Sequence, residues 1–113
     1  MTAQDRPQVV RDCYGAYESS DRSILEQHLS DDFNFSAPPD GGIDRATYFE
    51  RCWPNSKTID AFEYMRIFEA NDEVIVTYEC TKTDGRRFRN TEIFGFDGPK
   101  ISRVEVYFGW DIP

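Results

Sequence analysis

The strongest structural signal in the chain lies in residues 58–110, which read TIDAFEYMRIFEANDEVIVTYECTKTDGRRFRNTEIFGFDGPKISRVEVYFGW. Apolar and polar side chains alternate along most of this stretch, with the period of two that is typical of β-strands. Three dipeptides interrupt the alternation, and each favours a tight hairpin turn: Asn71-Asp72, Asp84-Gly85 and Gly98-Pro99. The pattern therefore predicts four long strands, at about 58–70, 73–83, 86–97 and 100–110, joined as an antiparallel meander.

The first half of the chain has the spacing of helices instead. Apolar and aromatic residues recur every three or four positions over residues 7–19, which predicts an amphipathic helix. Asp21 or Ser20 can cap a second, short helix. Asp44 can cap a third, which runs to about Cys52 and ends because Pro54 cannot continue it.

A short strand separates the second helix from the third. Residues 33–36 (FNFS) alternate, and residues 38–42 (PPDGG) concentrate turn-forming residues. Helices first and a meander afterwards predict an α+β domain in which the helical layer covers one face of the sheet. We expect one domain over residues 1–113, because the sequence has no linker, repeat or low-complexity tract.

Composition and charge exclude several classes of function. The 13 basic and 21 acidic side chains give a formal net charge of −8, which repels phosphate backbones and anionic lipid headgroups. We therefore expect no nucleic acid and no membrane among the partners. No apolar stretch approaches the ~20 residues of a membrane-spanning helix. Residues 1–7 lack the basic and apolar regions of a secretory signal, so we expect a cytoplasmic protein.

The cysteine and histidine content argues against a metal centre. Cys13, Cys52 and Cys80 are odd in number and widely spaced, which predicts neither a disulfide framework nor a zinc site. His28 is the only histidine, and its place near the end of the second helix favours interaction with the helix dipole over catalysis. We expect no metal and no cofactor.

Three segments resemble the nuclear transport factor 2-like superfamily, and most closely its SnoaL-like and ketosteroid isomerase-like branch. They are YESSD at 17–21, LSDDFNF at 29–35 and FGFDGPKISRVEVYFG at 94–109. The resemblance covers nearly the whole chain. It implies a cone-shaped roll, also called cystatin-like, in which a curved antiparallel sheet wraps around an N-terminal helical layer and encloses one pocket. Members of the superfamily include isomerases, hydrolases, cyclases, dehydratases and non-catalytic binding modules, so the resemblance implies a fold more than an activity.

The period of two indicates which strand residues face that pocket. We assign inward the even-numbered residues of 74–80, 88–96 and 102–110. Glu92 then lies among Phe94, Phe96, Val104 and Val106, where burial would raise the pKa of its carboxyl group. Two alternatives stay open. Glu92 faces solvent if the register is wrong by one residue, or it is a buried acid paired with an arginine, for which the candidates are Arg66, Arg87 and Arg89.

The resemblance to ketosteroid isomerase implies a catalytic role for Glu92. It falls where that pattern has an aspartic acid that donates a hydrogen bond to the developing dienolate oxygen. A carboxylic acid held neutral by an apolar site can do this, and a partly ionised one can act as a general acid or base. The isomerase's base falls at Ala37, however, and its oxyanion tyrosine at Cys13, next to Tyr14. These departures argue against steroid isomerisation by that mechanism.

Two other branches imply different sites. The Arg-x-Asp pair of the limonene epoxide hydrolase pattern falls at Tyr78 and Cys80, and its further aspartate at Val106, so that triad is absent. Polyketide cyclases of the SnoaL type rely largely on the shape of the pocket and on one acidic residue. Glu92 alone meets that requirement.

The remaining candidates are aromatic or flank the pocket. The hydroxyls of Tyr14, Tyr17, Tyr64 and Tyr78 could reach a ligand oxygen, although core packing also explains tyrosines at such spacing. Trp53 could close the pocket as a lid or plug the end of the third helix. Asp40 and Asp44 flank the mouth, where turn formation and capping explain them. We expect ligand contacts from Tyr14, Tyr17, Phe35, Trp53, Phe62, Tyr78, Asn90 and Val106.

The other face of the sheet mixes apolar and polar side chains and has no predicted helix to cover it, so we expect a homodimer through this outer face. Two classes of function stay open. One is a domain that binds a small apolar molecule and performs acid–base isomerisation, cyclisation or dehydration of a carbonyl compound through Glu92. The other is a non-catalytic module that binds a ligand or a protein partner, for which Ala37 is the main support.

Overall fold

The helices and strands follow the predicted order. The computed structural model describes residues 5–113. Its helices are α1 (Arg6–Ser19), α2 (Arg22–His28) and α3 (Arg45–Arg51), and a 3-10 helix follows at Trp53–Thr58. Its strands are β1 (Leu29–Ala37), β2 (Asp40–Asp44), β3 (Ile59–Ala70), β4 (Glu73–Lys82), β5 (Arg87–Asp97) and β6 (Lys100–Ile112). The α+β prediction is confirmed.

Aspartates begin all three helices. The carboxylate of Asp5 accepts a hydrogen bond from the backbone N–H of Gln8, and that of Asp21 accepts one from Ser23. Asp44 accepts one from Thr47 at 2.9 Å. Each satisfies a backbone donor that the first turn of a helix leaves without a partner. Of the two residues predicted to cap α2, Asp21 does so and Ser20 does not, and the capping predicted for Asp44 is confirmed.

The six strands form one curved sheet in the order β2-β1-β6-β5-β4-β3. Strands β3 to β6 are the predicted antiparallel meander. The sheet as a whole is mixed, however, because β1 pairs with β6 in parallel. The predicted antiparallel pairing holds for the meander and does not extend to the contact between β1 and β6. Local alternation along a strand shows which side chains share a face, and it carries no information on which distant strand lies alongside.

Strand β2 lies where the sequence predicts only a turn. Pro38 and Pro39 make the turn, and Asp40–Asp44 then pairs antiparallel with β1, with Phe35 opposite Ile43. Glycines at 41 and 42 have low strand propensity. Pairing with β1 outweighs that preference.

The helices pack on one face of the sheet, which we call the inner face. Val10 of α1, Leu25 of α2, Val74 and Val76 of β4 and Ile101 of β6 are almost completely buried between the two layers. The inward assignment of the even-numbered residues is confirmed along β4 and β5. On β6 a register shift near Gly95 gives the buried position to Ile101, where the alternation predicted Ser102.

A second register shift interrupts β5 and β6 near their other end. Asn90 pairs with Phe108, whereas Phe88 pairs with Asp111, so β6 has an extra residue between these pairs. Gly109 lies in this bulge, and Trp110 places its ring 5.2 Å from the guanidinium carbon of Arg89. The strict alternation therefore ends at Phe108, although Trp110 still lines the cavity. None of the described helices is long and apolar enough to cross a membrane.

Candidate functional site

A cavity of about 590 Å³ lies between the inner face of the sheet and the helices, and it is open at one end. This volume is within the range of small-molecule sites, roughly 300–1,000 Å³. Apolar and aromatic side chains make up most of its wall. Seven of the eight predicted ligand-contacting residues line it: Tyr14, Tyr17, Phe35, Phe62, Tyr78, Asn90 and Val106. The eighth, Trp53, packs against the ring of Tyr17 at 5.1 Å between centroids and is not part of the wall.

Glu92 lies in the cavity wall between two tyrosines. Tyr14 of α1 donates a hydrogen bond to Oε1 of Glu92 at 3.0 Å, and Tyr78 of β4 donates one to Oε2 at 2.6 Å. Asn90 supports Tyr78, since its Nδ2 donates to the tyrosine hydroxyl at 3.4 Å. The residue as a whole is of intermediate exposure, as expected for a cavity wall, and its carboxyl group is surrounded by protein atoms.

This environment favours the neutral form of Glu92. Burial raises the pKa of the carboxyl group above its ordinary value, and the hydrogen bonds from Tyr78 and Tyr14 oppose the rise only in part. Burial and the neighbouring charge of Glu92 raise the pKa of both tyrosines well above the ordinary value, so both keep their protons. Glu92 therefore holds its proton to a higher pH than an exposed glutamate does.

Both alternative interpretations of Glu92 are wrong. It faces the cavity, so the predicted register of β5 is correct. Among the described residues no arginine lies within ion-pair distance of it. Arg87 and Arg89 instead bind Glu79 on the outer face, at 2.7 and 2.5 Å. These ion pairs lower the pKa of Glu79, with the hydrogen bond from Arg89 as the largest cause, and leave Glu92 without a counter-charge.

Sequence reasoning named the hydroxyl of Tyr17 but missed its partner Tyr48 in the same cavity. The hydroxyl oxygens of Tyr17 and Tyr48 lie 2.5 Å apart, within hydrogen-bond distance. Burial raises the pKa of both phenols. Tyr48 follows the apolar spacing of α3, and that spacing predicts burial without saying which polar atom it meets. The wall therefore presents two separate sets of hydrogen-bonding groups.

The cysteines and the histidine are poorly placed for nucleophilic or basic chemistry. All three cysteines line the cavity, but burial raises the pKa of Cys13 to about 12 and those of Cys52 and Cys80 to about 11, so the thiols stay protonated. His28 lies outside the cavity wall, with Nε2 3.8 Å from Asp12, and burial lowers its pKa. Within residues 5–113, no group of acidic, histidine and cysteine side chains is arranged to hold a metal.

No protein-family model matches the sequence, and no curated protein matches it. Solved structures do match. An NTF2-like protein of unknown function from Cytophaga hutchinsonii superposes with a TM-score of 0.72 at 19% identity, over 96% of this chain and 93% of that one. The chain has an NTF2-like fold. The cone predicted from the resemblance to the nuclear transport factor 2-like superfamily is thereby confirmed.

Other solved structures that superpose on this chain differ widely in origin. IdmH, a proposed polyketide cyclase from Streptomyces antibioticus, superposes with a TM-score of 0.74 at 16% identity, over 91% of each chain. A de novo designed protein with a curved β-sheet gives a TM-score of 0.81 at 15% identity, over 96% of this chain and 88% of that one. Since a designed scaffold shares the fold, function must be argued from the side chains of the cavity.

Proposed function

We propose that the protein binds a small, largely apolar carbonyl compound in this cavity and promotes its isomerisation, cyclisation or dehydration, with Glu92 as the acid. One observation carries the proposal. A carboxyl group without a counter-charge lies between two phenol donors in a wall made mostly of apolar and aromatic side chains. Such a group is costly to bury, and it gives the apolar part of the cavity a strongly polar point at which a ligand oxygen can be held.

The chemistry follows from the protonation of this network. When Glu92 is neutral, one of its oxygens is itself a donor, so the network has a proton to direct at a ligand oxygen. A carbonyl compound that loses a proton from carbon develops negative charge on that oxygen. Donors fixed in an apolar site stabilise such charge more strongly than water does. The similarity in fold to a proposed polyketide cyclase agrees with this class of reaction.

Binding of a simple carbonyl probe tests the proposal. Acetylnaphthalene and isopropenylnaphthalene have nearly the same shape, but only the first has an oxygen. We expect acetylnaphthalene to bind about tenfold more tightly, because one hydrogen bond contributes about 1.5 kcal/mol in a dry site. We also expect its carbonyl stretch to move to lower frequency when bound. Titration followed by infrared spectroscopy measures both effects.

Two variants locate the donor. In Glu92→Leu combined with Tyr14→Phe and Tyr78→Phe, which leaves no hydroxyl or carboxyl donor at this point of the wall, the preference for the carbonyl compound and the infrared shift should both disappear. Glu50→Leu, which removes an exposed carboxylate of α3 outside the cavity wall, should keep both. Equal affinity of the wild-type protein for the two probes, or no binding of either up to the solubility limit, would contradict the proposal.

We also propose that two copies pair through the outer face of the sheet. Phe68 of β3 and Tyr107 of β6 are 48% and 52% exposed there, which is high for large apolar side chains. Arg103 and Glu105 lie next to each other on the same face, 4.0 Å apart. A copy related by a two-fold axis can therefore place arginine against glutamate while it covers the aromatic rings.

Tyr107→Lys should prevent this pairing, because it places a charge in the middle of the face. Light scattering should give twice the chain mass of 13.2 kDa for the wild-type protein and the single mass for the variant. Lys57→Glu changes a charge on the 3-10 helix, away from the outer face, and should leave the dimer intact. A wild-type mass of one chain would show that this surface has another role.

A further inference from the structure

Lys82 is the only cationic side chain among the residues that line the cavity. It is the last residue of β4, and it continues the row of inward-facing residues that includes Tyr78 and Cys80. Its positive charge opposes the rise in pKa that burial gives the Cys80 thiol, so the charge lies close to the wall. The residue is of intermediate exposure, which is typical of the rim of a cavity.

The hairpin that carries Lys82 supplies no counter-ion for it. Within residues 5–113, no carboxylate lies within ion-pair distance of its ammonium group. Asp84 is the next acidic residue along the chain, but its carboxylate accepts hydrogen bonds from the backbone N–H and the guanidinium of Arg86, at 3.0 and 2.7 Å. The turn therefore pairs its own acid with its own arginine and leaves Lys82 free.

The acids of the cavity wall do not neutralise Lys82 either. Asp40, at the start of β2, has Nη1 of Arg51 2.7 Å from its Oδ1. Asp111 is exposed on β6, and β5 separates that strand from β4. Glu92 favours its neutral form. The cavity thus has a cation without an internal partner, in a chain where 21 acidic side chains outnumber 13 basic ones.

We propose that Lys82 binds a carboxylate group of the ligand, and that the ligand is therefore a keto acid. Its carbonyl oxygen lies at the Tyr14–Glu92–Tyr78 network and its carboxylate at the rim. This inference rests on the proposed function, which fixes the position of the carbonyl end. One ammonium group balances the single charge of a carboxylate, whereas a phosphate would keep excess negative charge inside an already acidic protein.

Strand β4 sets the spacing of the two polar ends of the ligand. Tyr78 and Lys82 are four residues apart on it, which is about 13 Å at roughly 3.3 Å per residue. Between them lies an apolar band across three strands, in which Cys80 pairs with Phe62 on one side and with Phe88 on the other. All three residues of the band line the cavity. A fused-ring or long-chain keto acid matches this order of polar, apolar and polar contacts.

Acetylnaphthoic acid and its methyl ester test the inference. Both carry an acetyl group at one end of the fused rings, and only the acid has a charge at the other end. We expect the acid to bind the wild-type protein about tenfold more tightly, since charge-assisted hydrogen bonds are the stronger kind. Lys82→Gln should abolish this preference, and Lys82→Glu should reverse it. Lys57→Gln, which removes an exposed lysine outside the cavity wall, is the matched control and should keep it.

The outcomes separate this inference from the proposed function. Equal affinity of the wild-type protein for acid and ester would overturn the inference, even where acetylnaphthalene is still preferred over isopropenylnaphthalene. If the acid is favoured but acetylnaphthalene is not, nothing holds the carbonyl end and the assignment of a keto acid is wrong. The same preference in Lys82→Gln as in Lys57→Gln would also contradict it. A loss confined to the Lys82 variants, with the infrared shift of the acetyl group and the unfolding midpoint unchanged, supports it.

Discussion

Gly109→Ala should destabilise the protein by about 2–3 kcal/mol, near the upper end of the cost of overpacking. A Cβ at this position would lie 2.1 Å from the carbonyl oxygen of Arg89 and 2.9 Å from its carbonyl carbon. Both atoms belong to the backbone of β5, so no side-chain rotation can relieve the clash. The two strands must move apart at the bulge. Urea unfolding monitored by circular dichroism measures the loss.

The same substitution should also weaken the site. The backbone N–H of Gly109 donates to Oδ1 of Asn90 at 3.2 Å, and Asn90 in turn donates to Tyr78, one of the two donors to Glu92. A shift of the bulge would therefore displace Asn90 and weaken the hydrogen bond that supports Tyr78 beside Glu92. We expect Gly109→Ala to reduce the preference for acetylnaphthalene over isopropenylnaphthalene while the protein is still folded.

Gly41→Ala is the control for this prediction. Position 41 lies on β2 and does not have a positive φ, and a Cβ added there would meet no neighbouring atom within 4 Å. The change in unfolding free energy should be about 0.5 kcal/mol or less, in either direction. Equal losses for the two variants would show that close backbone approach at Gly109 is not the cause.

The sequence predicts those features that depend on local periodicity. Apolar residues at helical spacing place Cys13 and Tyr14 on the buried side of α1, and alternation places Tyr78 and Glu92 on the inner face. One detail differs by a single residue. The resemblance to ketosteroid isomerase puts the oxyanion tyrosine at Cys13, whereas the hydroxyl that reaches Glu92 belongs to Tyr14. Adjacent residues on a helix point about 100° apart, so an alignment that is wrong by one residue assigns the hydroxyl to a side chain that points in another direction.

Features that depend on distant pairing could not be predicted in this way. The parallel contact of β1 with β6 joins segments that lie far apart in sequence. Strand β2 follows β1 closely, but its glycines give it low strand propensity, and only its pairing with β1 makes it a strand. Asp40 illustrates the consequence for the site. In the sequence it stands in a Pro-Pro-Asp-Gly-Gly run and is explained by turn formation. Only the hairpin with β1 places it in the cavity wall.

Glu92→Gln should gain stability relative to the wild-type protein as the pH rises. The pKa of Glu92 is raised in the folded state, chiefly by burial. Its proton therefore stabilises the fold fully below the pKa of an unfolded glutamate, and that contribution is lost as the pH rises through the folded pKa. Glutamine does not ionise and escapes the loss. A tenfold difference in proton affinity between the folded and unfolded states corresponds to about 1.4 kcal/mol, measurable by urea unfolding from about pH 5 to about pH 8.

Glu79→Gln should show the opposite dependence, because Arg89 and Arg87 lower the pKa of Glu79 in the folded state. The stability contributed by Glu79 is present above the unfolded pKa and is lost as the pH falls through the folded one. The difference in unfolding free energy between Glu79→Gln and the wild-type protein should therefore become smaller as the pH falls. The excess unfolding free energy of Glu92→Gln over the wild-type protein should become larger as the pH rises. Parallel curves for Glu92→Gln and the wild-type protein would mean that Glu92 is ionised in the folded state as readily as in the unfolded chain. In that case it could not serve as the acid of the cavity.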